Sequence, residues 1–522
     1  MTVICVGKEQ GYPLRMMRPR YSKHMWSYCK NVLPSSILEG LKQFERTPTN
    51  LELLYASLKK YDVVPPPVST DEHMLAAEQW VRKRFIPSEK LGLRRLDDLR
   101  QTDLPSGTSP GYPYKQRGYK TKADAWPEAF AEASRIVQLY EEGGSCSFPP
   151  AMAYCRTKVS RKGEPKLRFI FGVSLQVLIL QMIFFEPLWK YQLAGNTPAA
   201  YKNTVFHGGY ARLLEEMHQK TASVEFGATA IMSDFKNYDT SCGFWLTRRV
   251  YGFIEDCLDF DYFDDGYAND HAPHYRRLFY DLMRHDIDTD ILMPDGYVWK
   301  KNNGDSTGSR GFQIMQNIRT CYINQAAHHK LYGRTCDFMK SLGDDCIWSE
   351  KIEKPFDFTA ASEYITKTFG PSYNLEKSAQ TQHHDGLAFL GRQIWGKGPT
   401  RNLIDSVLTL LYPENEDDDY LLFAQRIVSM YYENAGGDTR VCHMLSCCFQ
   451  SIPDDLRVAF ETGTIAPNWS YYQLKRFERM GLNAPVRLKI PSKMVVWILV
   501  TLERGFLEKS QFEHLYDLPM DD

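Results

Sequence analysis

The run Phe338-Met339-Lys340-Ser341-Leu342-Gly343-Asp344-Asp345-Cys346-Ile347-Trp348 sets two short apolar stretches on either side of Gly343-Asp344-Asp345. Two such stretches joined by a Gly-Asp turn predict a β-hairpin with adjacent carboxylates at its tip. Alone the tripeptide is weak, because Gly-Asp is a common turn pair and most isolated occurrences are surface turns. Phe338, Leu342, Ile347 and Trp348 change that weighting, since a half-buried hairpin holds its turn on a core sheet.

Upstream, Ala228-Thr229-Ala230-Ile231-Met232 suits a buried strand that ends at Asp234, and Asp239 follows four residues further on. If this strand neighbours the hairpin, Asp234 and Asp344 face each other. Two such carboxylates repel and raise one another's pKa. A pair of Mg²⁺ ions, with Mn²⁺ as a substitute, removes the repulsion, and Mg²⁺ prefers oxygen ligands. Metals ~3.5–4 Å apart can activate a hydroxyl and stabilise a leaving pyrophosphate. The bland alternative is that Asp234 caps the helix after it.

Between these carboxylates lies Gly304-Asp305-Ser306-Thr307-Gly308-Ser309-Arg310-Gly311, before a helical pattern that ends near Gly333. Its glycines let the backbone approach a ligand closely, and the helix start offers free N–H groups. It lacks the Lys-Ser/Thr ending of a P-loop, so an ATPase is disfavoured; a plain connector is the bland alternative. Further upstream, Ala151 to Ile170 carries six Lys/Arg and one Glu. Arg156, Lys158, Lys166 and Arg168 flank a turn at Gly163-Glu164-Pro165, a pattern that puts same-face cations on two strands. Such a surface suits a triphosphate or a phosphate backbone, although charges also protect edge hairpins.

The 522 residues predict several subdomains, and 43% hydrophobic with 24% charged residues excludes a disordered or fibrous chain. The net charge of −1 supplies no global field for an anionic partner, so a local basic patch must meet one. Twelve Cys without regular spacing read as reduced thiols, and Cys442-His443 with Cys447 and Cys448 as core packing rather than a zinc site. The N-terminus does not read as a signal peptide, and Val173–Phe185 and Met494–Leu502 fall short of the ~20 residues that span a bilayer, so a soluble protein is expected. Helices are expected from Asn50 to Tyr61, from Gly172 to a stop near Pro187, and from Glu416 to Gly436-Gly437. Residues 100–125 read as an ordered loop, and His383-His384-Asp385 as an exposed turn.

In chain order the basic hairpin, Asp-x4-Asp, the Gly/Ser loop with its helix, and Gly-Asp-Asp resemble the viral RNA-dependent RNA polymerases, from roughly Ser106 to Gly391. Ser109-Pro110-Gly111-Tyr112-Pro113 and Gly118-Tyr119-Lys120-Thr121-Lys122 resemble the fingers loop of small double-stranded RNA viruses, the partitiviruses and picobirnaviruses. The resemblance implies an α+β right-hand fold of fingers, palm and thumb, its palm a small antiparallel sheet backed by helices. It implies an N-terminal region and fingers over 1–227, palm over 228–245, an insertion over 246–302, palm again over 303–398, and a helical thumb and tail over 399–522.

Residue by residue, it implies that Asp234 and Asp344 hold two catalytic metals, with Asp345 assisting. Asp239 would sense the ribose 2′-hydroxyl, with Gln316 or Asn317 helping. Thr307, Gly308 and Ser309 would position the nascent pair, while Arg156, Lys158, Lys166 and Arg168 clamp the triphosphate. Lys377 matches a general acid for pyrophosphate, and Phe389-Leu390-Gly391 a primer-grip turn. Ser109, Pro110, Gly111, Tyr112, Lys120 and Lys122 would meet RNA. The family usually has Ser-Gly at Thr307-Gly308, Thr at Phe312 and Asn at Gln316. The partners implied are RNA template and product, nucleoside triphosphates and a viral capsid protein. A monomer without a membrane, in the host cytoplasm and inside the virion, is expected. A reverse transcriptase usually carries an aromatic residue at the position of Asp239. A two-metal nuclease would leave the basic hairpin and the Gly/Ser loop unexplained.

Overall fold

The computed structural model describes residues 2–14, 18, 20–221, 228–352, 354–382, 387–395, 398–415, 417–435 and 437–501. His383-His384-Asp385 and the C-terminal tail lie outside them. Helices and sheets mix throughout, as in an α+β chain.

The hairpin forms as its sequence predicts, with strands Phe338–Leu342 and Asp345–Lys351. It joins a four-stranded antiparallel sheet in the order Phe338–Leu342, Asp345–Lys351, Ala228–Ser233, Ala379–Thr381. Successive residues of these strands enter two different cores. Ile231, Cys346, Trp348 and Met339 join one apolar cluster, while Ala230, Met232, Ile347 and Phe338 join the other. Side-chain alternation along a strand allows this, and burial on both faces explains why these strands read as continuous apolar runs.

The helix Phe312–Tyr332 is buried continuously from Ile314 to His328 and ends at Gly333, whose φ of +68° suits glycine. It packs against the helices Glu72–Phe85, Phe244–Cys257 and Phe358–Thr368. A second sheet runs in the order Val3–Lys8, Tyr297–Lys301, Asp290–Leu292, Ala151–Thr157, Leu167–Gly172. Its last two strands are the arms of the basic hairpin.

Some expected boundaries shift for identifiable reasons. The helix expected to stop near Pro187 runs from Leu175 to Leu193. Proline removes the N–H that would bond the carbonyl four residues back. Here the Ile183 carbonyl instead accepts from the Arg94 N–H at 2.8 Å, so the gap is filled by tertiary structure. The helix capped by Asn50 becomes a 3₁₀ turn at Lys59–Tyr61. Residues 100–125 are not all loop, because the Thr121/Asp124 capping box starts the helix Lys122–Glu141. Asp419 caps Tyr420–Asn434, so that helix begins later than its acidic run.

Six helices, from Leu403–Leu411 to Lys493–Thr501, form the described C-terminal part. All twelve cysteines are free thiols, and Cys442 and Cys448 are buried among apolar side chains. Among the described residues no helix is long and apolar enough to cross a membrane.

Candidate active site

Gly343-Asp344 is the two-residue turn between the paired residues Leu342 and Asp345, and Gly343 has φ +71°. The buried helix Phe312–Tyr332, central to the fold, grips this turn from both sides of one residue. The Gly343 N–H donates to Asn317 Oδ1 at 2.8 Å, and Thr320 Oγ1 donates to the Gly343 carbonyl at 2.8 Å.

Cys346 pairs with Ser233 across the sheet, so the next step of that register sets Asp345 beside Asp234. Burial, then Asp344 and Asp234, push the Asp345 carboxyl up to about 7, against the pull of Arg168 and Lys377. Asp234 is oriented by its neighbours: Asn374 Nδ2 donates to Oδ2 at 3.0 Å, and the Asp234 N–H donates to Ser378 Oγ at 3.1 Å. Lys377 Nζ lies 3.8 Å from Asp234 Oδ2, its side chain 67% exposed.

Mutually repelling, half-buried carboxylates suit a hard divalent cation. Among the described residues no three His, Cys, Asp or Glu form a ready metal cage.

Asp239 sits in the short helix Tyr238–Ser241, after Asn237 at φ +54°. Gln316 Nε2 donates to Asp239 Oδ1 at 2.8 Å. Asn317 points elsewhere, to Gln192 Oε1 at 3.0 Å and Tyr201 OH at 3.2 Å, besides holding Gly343. Burial, then Asp305 and Asp344, push the Asp239 carboxyl up to about 6. Its carbonyl accepts from the Asp305 N–H at 2.8 Å, which ties it to the Gly/Ser loop.

A family model described as Viral RNA-dependent RNA polymerase matches residues 21–448. The chain belongs to the viral RNA-dependent RNA polymerases. It is therefore an RNA-directed nucleotidyltransferase that binds RNA and nucleoside triphosphates. No curated protein matches it.

The polymerase's Gly/Ser loop rests on side chains that its sequence does not single out. Asp305 and Arg319 form a two-pronged ion pair with each side chain 1% exposed, one prong at 2.7 Å. Asp286 accepts from Ser309 Oγ at 2.8 Å, from Gln181 Nε2 at 3.0 Å and from Tyr251 OH. Lys301 Nζ is buried and donates to the carbonyls of Asp286, Ile287 and Gly304 at 2.9, 3.1 and 3.1 Å. Burial pushes the Asp286 carboxyl up to about 6 and the Lys301 amine down to about 8. These partners lie far apart in sequence, and only an isolated Asp or Lys beside an apolar run could have hinted at them.

Gly308 has no room for a side chain, because a Cβ there would lie 1.9 Å from the Phe171 carbonyl. Thr307 Oγ1 accepts from the Phe171 N–H at 3.4 Å, so the loop is docked on an arm of the basic hairpin. Gly304-Asp305-Ser306-Thr307-Gly308 also spells the Gly-x-Ser-x-Gly of serine hydrolases. Ser306 is buried and bonded to Thr289 Oγ1 at 2.6 Å and to the Asp286 carbonyl at 3.0 Å, a structural serine rather than an exposed nucleophile.

Across the basic hairpin Arg156 pairs with Arg168, and the Lys158 N–H donates to the Lys166 carbonyl at 3.1 Å. Lys158 is accessible, yet desolvation by its surroundings, then Arg168 and Lys377, push its amine down while Asp344 pulls it up. Lys158 and Arg168 are thus electrostatically coupled to the carboxylates. Arg156 Nε lies instead 3.3 Å from Glu414. Lys166 is exposed.

In the fingers-like loop, Ser109 Oγ bonds Tyr154 OH at 2.8 Å. Pro110 and Gly111 are buried, and the Pro110 carbonyl accepts from the Leu175 N–H at 2.9 Å. Tyr112 is half-buried and Lys120 exposed. Burial and Arg310 push the half-buried Lys122 amine down to about 8. In Phe389-Leu390-Gly391, Leu390 and Gly391 have φ +54° and +71°. The Phe389 carbonyl accepts from Tyr210 OH at 2.6 Å.

Proposed function

We propose that this polymerase extends RNA by two-metal nucleotidyl transfer, on a palm made of the four-stranded sheet and its central helix. The reading is carried by the strand register that brings Asp345 beside Asp234, with Asp344 at the adjoining turn. Two Mg²⁺ ions held by Asp234 and Asp344, with Asp345 alongside, would activate the RNA 3′-hydroxyl and stabilise the charge on the α-phosphate and pyrophosphate.

The chain's own groups position the reactants. Arg156, Lys158, Lys166 and Arg168 meet the triphosphate. Lys377 delivers a proton to the departing pyrophosphate. Asp239, held by Gln316, accepts the ribose 2′-hydroxyl, while Thr307, Gly308 and Ser309 support the nascent pair. Ser109, Tyr112, Lys120 and Lys122 meet the RNA strand, and Pro110 and Gly111 shape their loop. Residues 1–227 make up the N-terminal region and fingers, 246–302 an insertion between fingers and palm, and 399–522 the thumb and tail.

The Ser109–Pro113 and Gly118–Lys122 motifs favour a polymerase of partitivirus or picobirnavirus type. Such an enzyme replicates and transcribes a segmented double-stranded RNA genome, as a monomer with a capsid protein, inside the virion in the host cytoplasm.

Incorporation of ribo- and deoxyribonucleotides on a single-stranded RNA template tests this function. Template-dependent RNA product is expected. DNA product would instead support a reverse transcriptase, and RNA cleavage without synthesis a nuclease.

A further inference from the structure

A cavity of about 370 Å³ outside the catalytic site combines cations with aromatic rings. Arg20, Lys30, Lys42 and Lys162 line it against a single carboxylate, Glu45. Its rings are Tyr21, Trp26, Phe44 and Tyr412. In a chain of net charge −1, the exposed Lys30 and Lys162 give this cavity a local positive character.

The walls are fixed by the fold. Trp26 and Lys30 come from the helix Lys23–Val32, and Phe44 from the strand Phe44–Arg46 that pairs with Val159–Arg161. The rings of Trp26 and Tyr412 meet almost edge-on, 6.3 Å apart at 78°. Tyr412 is pinned at both ends: its hydroxyl donates to the Leu41 carbonyl at 2.8 Å, and buried Arg46 Nε donates to its carbonyl at 2.9 Å. The Lys162 N–H donates to the Gln43 carbonyl at 2.8 Å. Lys42 is already paired with Glu39 at 2.6 Å, whereas among the described residues Lys30 and Lys162 have no carboxylate at ion-pair distance.

The exposed Tyr21 ring and the half-buried Trp26 ring beside flexible cations are what a nucleotide needs, the rings for its base and the ammonium groups for its phosphates. Buried Tyr412 and half-buried Phe44, the latter overlain by Arg161, form the floor. The volume is within the range of small-ligand pockets. Lys162 also lies in the turn of the basic hairpin whose strands carry Arg156 and Arg168.

We propose that this cavity is a second nucleotide-binding site, with one base against its rings and the phosphates on Lys30 and Lys162. The ligand is either a free nucleoside triphosphate or one nucleotide of an RNA strand. The site does not depend on the two-metal chemistry.

Photocrosslinking in EDTA tests it, with 8-azido-ATP in one arm and an RNA oligomer bearing 8-azidoadenosine in the other. Peptides covering 20–30 or 42–45 should carry the label. In the double variant Lys30→Glu/Lys162→Glu, half-saturation should need about tenfold more probe, equivalent to about 1.4 kcal/mol. Labelling by 8-azido-ATP identifies the free nucleotide as ligand, and labelling by the oligomer alone identifies a strand. Label confined to other peptides, or unchanged in the folded double variant, overturns the site. Competition by pyrophosphate equal to that by ATP overturns the role of the rings. Should the double variant misfold, Lys30→Gln alone, at an exposed position, provides the same comparison, and an unchanged half-saturation there likewise overturns the site.

Discussion

Gln316 holds Asp239 through its carboxylate while the Asp305 N–H holds it through its carbonyl, so side chain and backbone are both fixed. Gln316→Ala removes the side-chain half of that grip. A hydrogen bond to a charged group contributes about 1.5–3 kcal/mol, so preference for ATP over dATP should fall about tenfold or more. The ratio of kcat/KM for the two nucleotides measures this, and an unchanged ratio would remove Gln316 from ribose recognition. Asp345 makes a prediction of a different kind. Its carboxyl is raised from 3.8 to about 7, so the folded, metal-free protein holds that proton more tightly than the unfolded chain. The resulting stability is complete below about pH 4 and is lost as pH rises through 7. In EDTA, Tm should therefore fall between pH 5 and 8, less so in Asp345→Asn, and added Mg²⁺ should restore more at pH 8 than at pH 5. Thermal unfolding across that range reads all three. The neighbouring Asp239, raised to about 6, acts in the same direction.

Among the elements, the Gly/Ser loop depends on two unlike supports. Gly308 allows the loop to lie on the Phe171 backbone, which cannot yield as a flexible side chain would. Gly308→Ala should cost about 1–3 kcal/mol by overpacking and displace the loop, seen as a lower denaturation midpoint together with reduced incorporation. Asp286 gathers Tyr251, Ser309 and Gln181. Asp286→Ala would leave buried donors unpaired, at an expected cost of about 3–5 kcal/mol in urea denaturation, with Asp286→Asn costing less. The hairpin and the central helix were legible because local signals specify them: apolar runs beside a Gly-Asp turn, and a glycine at the helix end. The course of the helix through Pro187 was not, since the Arg94 N–H that compensates for the proline comes from another part of the chain. The same holds for Asp286, Lys301 and the Asp305–Arg319 pair, whose partners meet only in three dimensions. Gln316 and Asn317 were indistinguishable in sequence because adjacent helical residues point in directions about 100° apart, and only packing decides which one reaches Asp239.

For the whole molecule, the sheet's position between two cores explains how carboxylates can be held together. Ile231 and Trp348 anchor one face, Ala230 and Ile347 the other, and the strand ends emerge where Asp234 and Asp344 stand. The near-neutral total charge coexists with anionic substrates because cations are concentrated locally, along the basic hairpin above all. The order of the motifs along the chain was enough to indicate the family, whereas the cavity beside Trp26 joins segments more than 350 residues apart and left no contiguous pattern. The decisive measurement is Mg²⁺-dependent nucleotide incorporation on a primed RNA template by the parent and by Asp344→Ala, with circular dichroism to establish that both are folded. Product should fall on the order of 10³-fold or more in the variant, a loss at least as large as removal of one electrostatic stabiliser from other active sites. A folded Asp344→Ala that retained activity within about tenfold of the parent would contradict the assignment of this turn to catalysis.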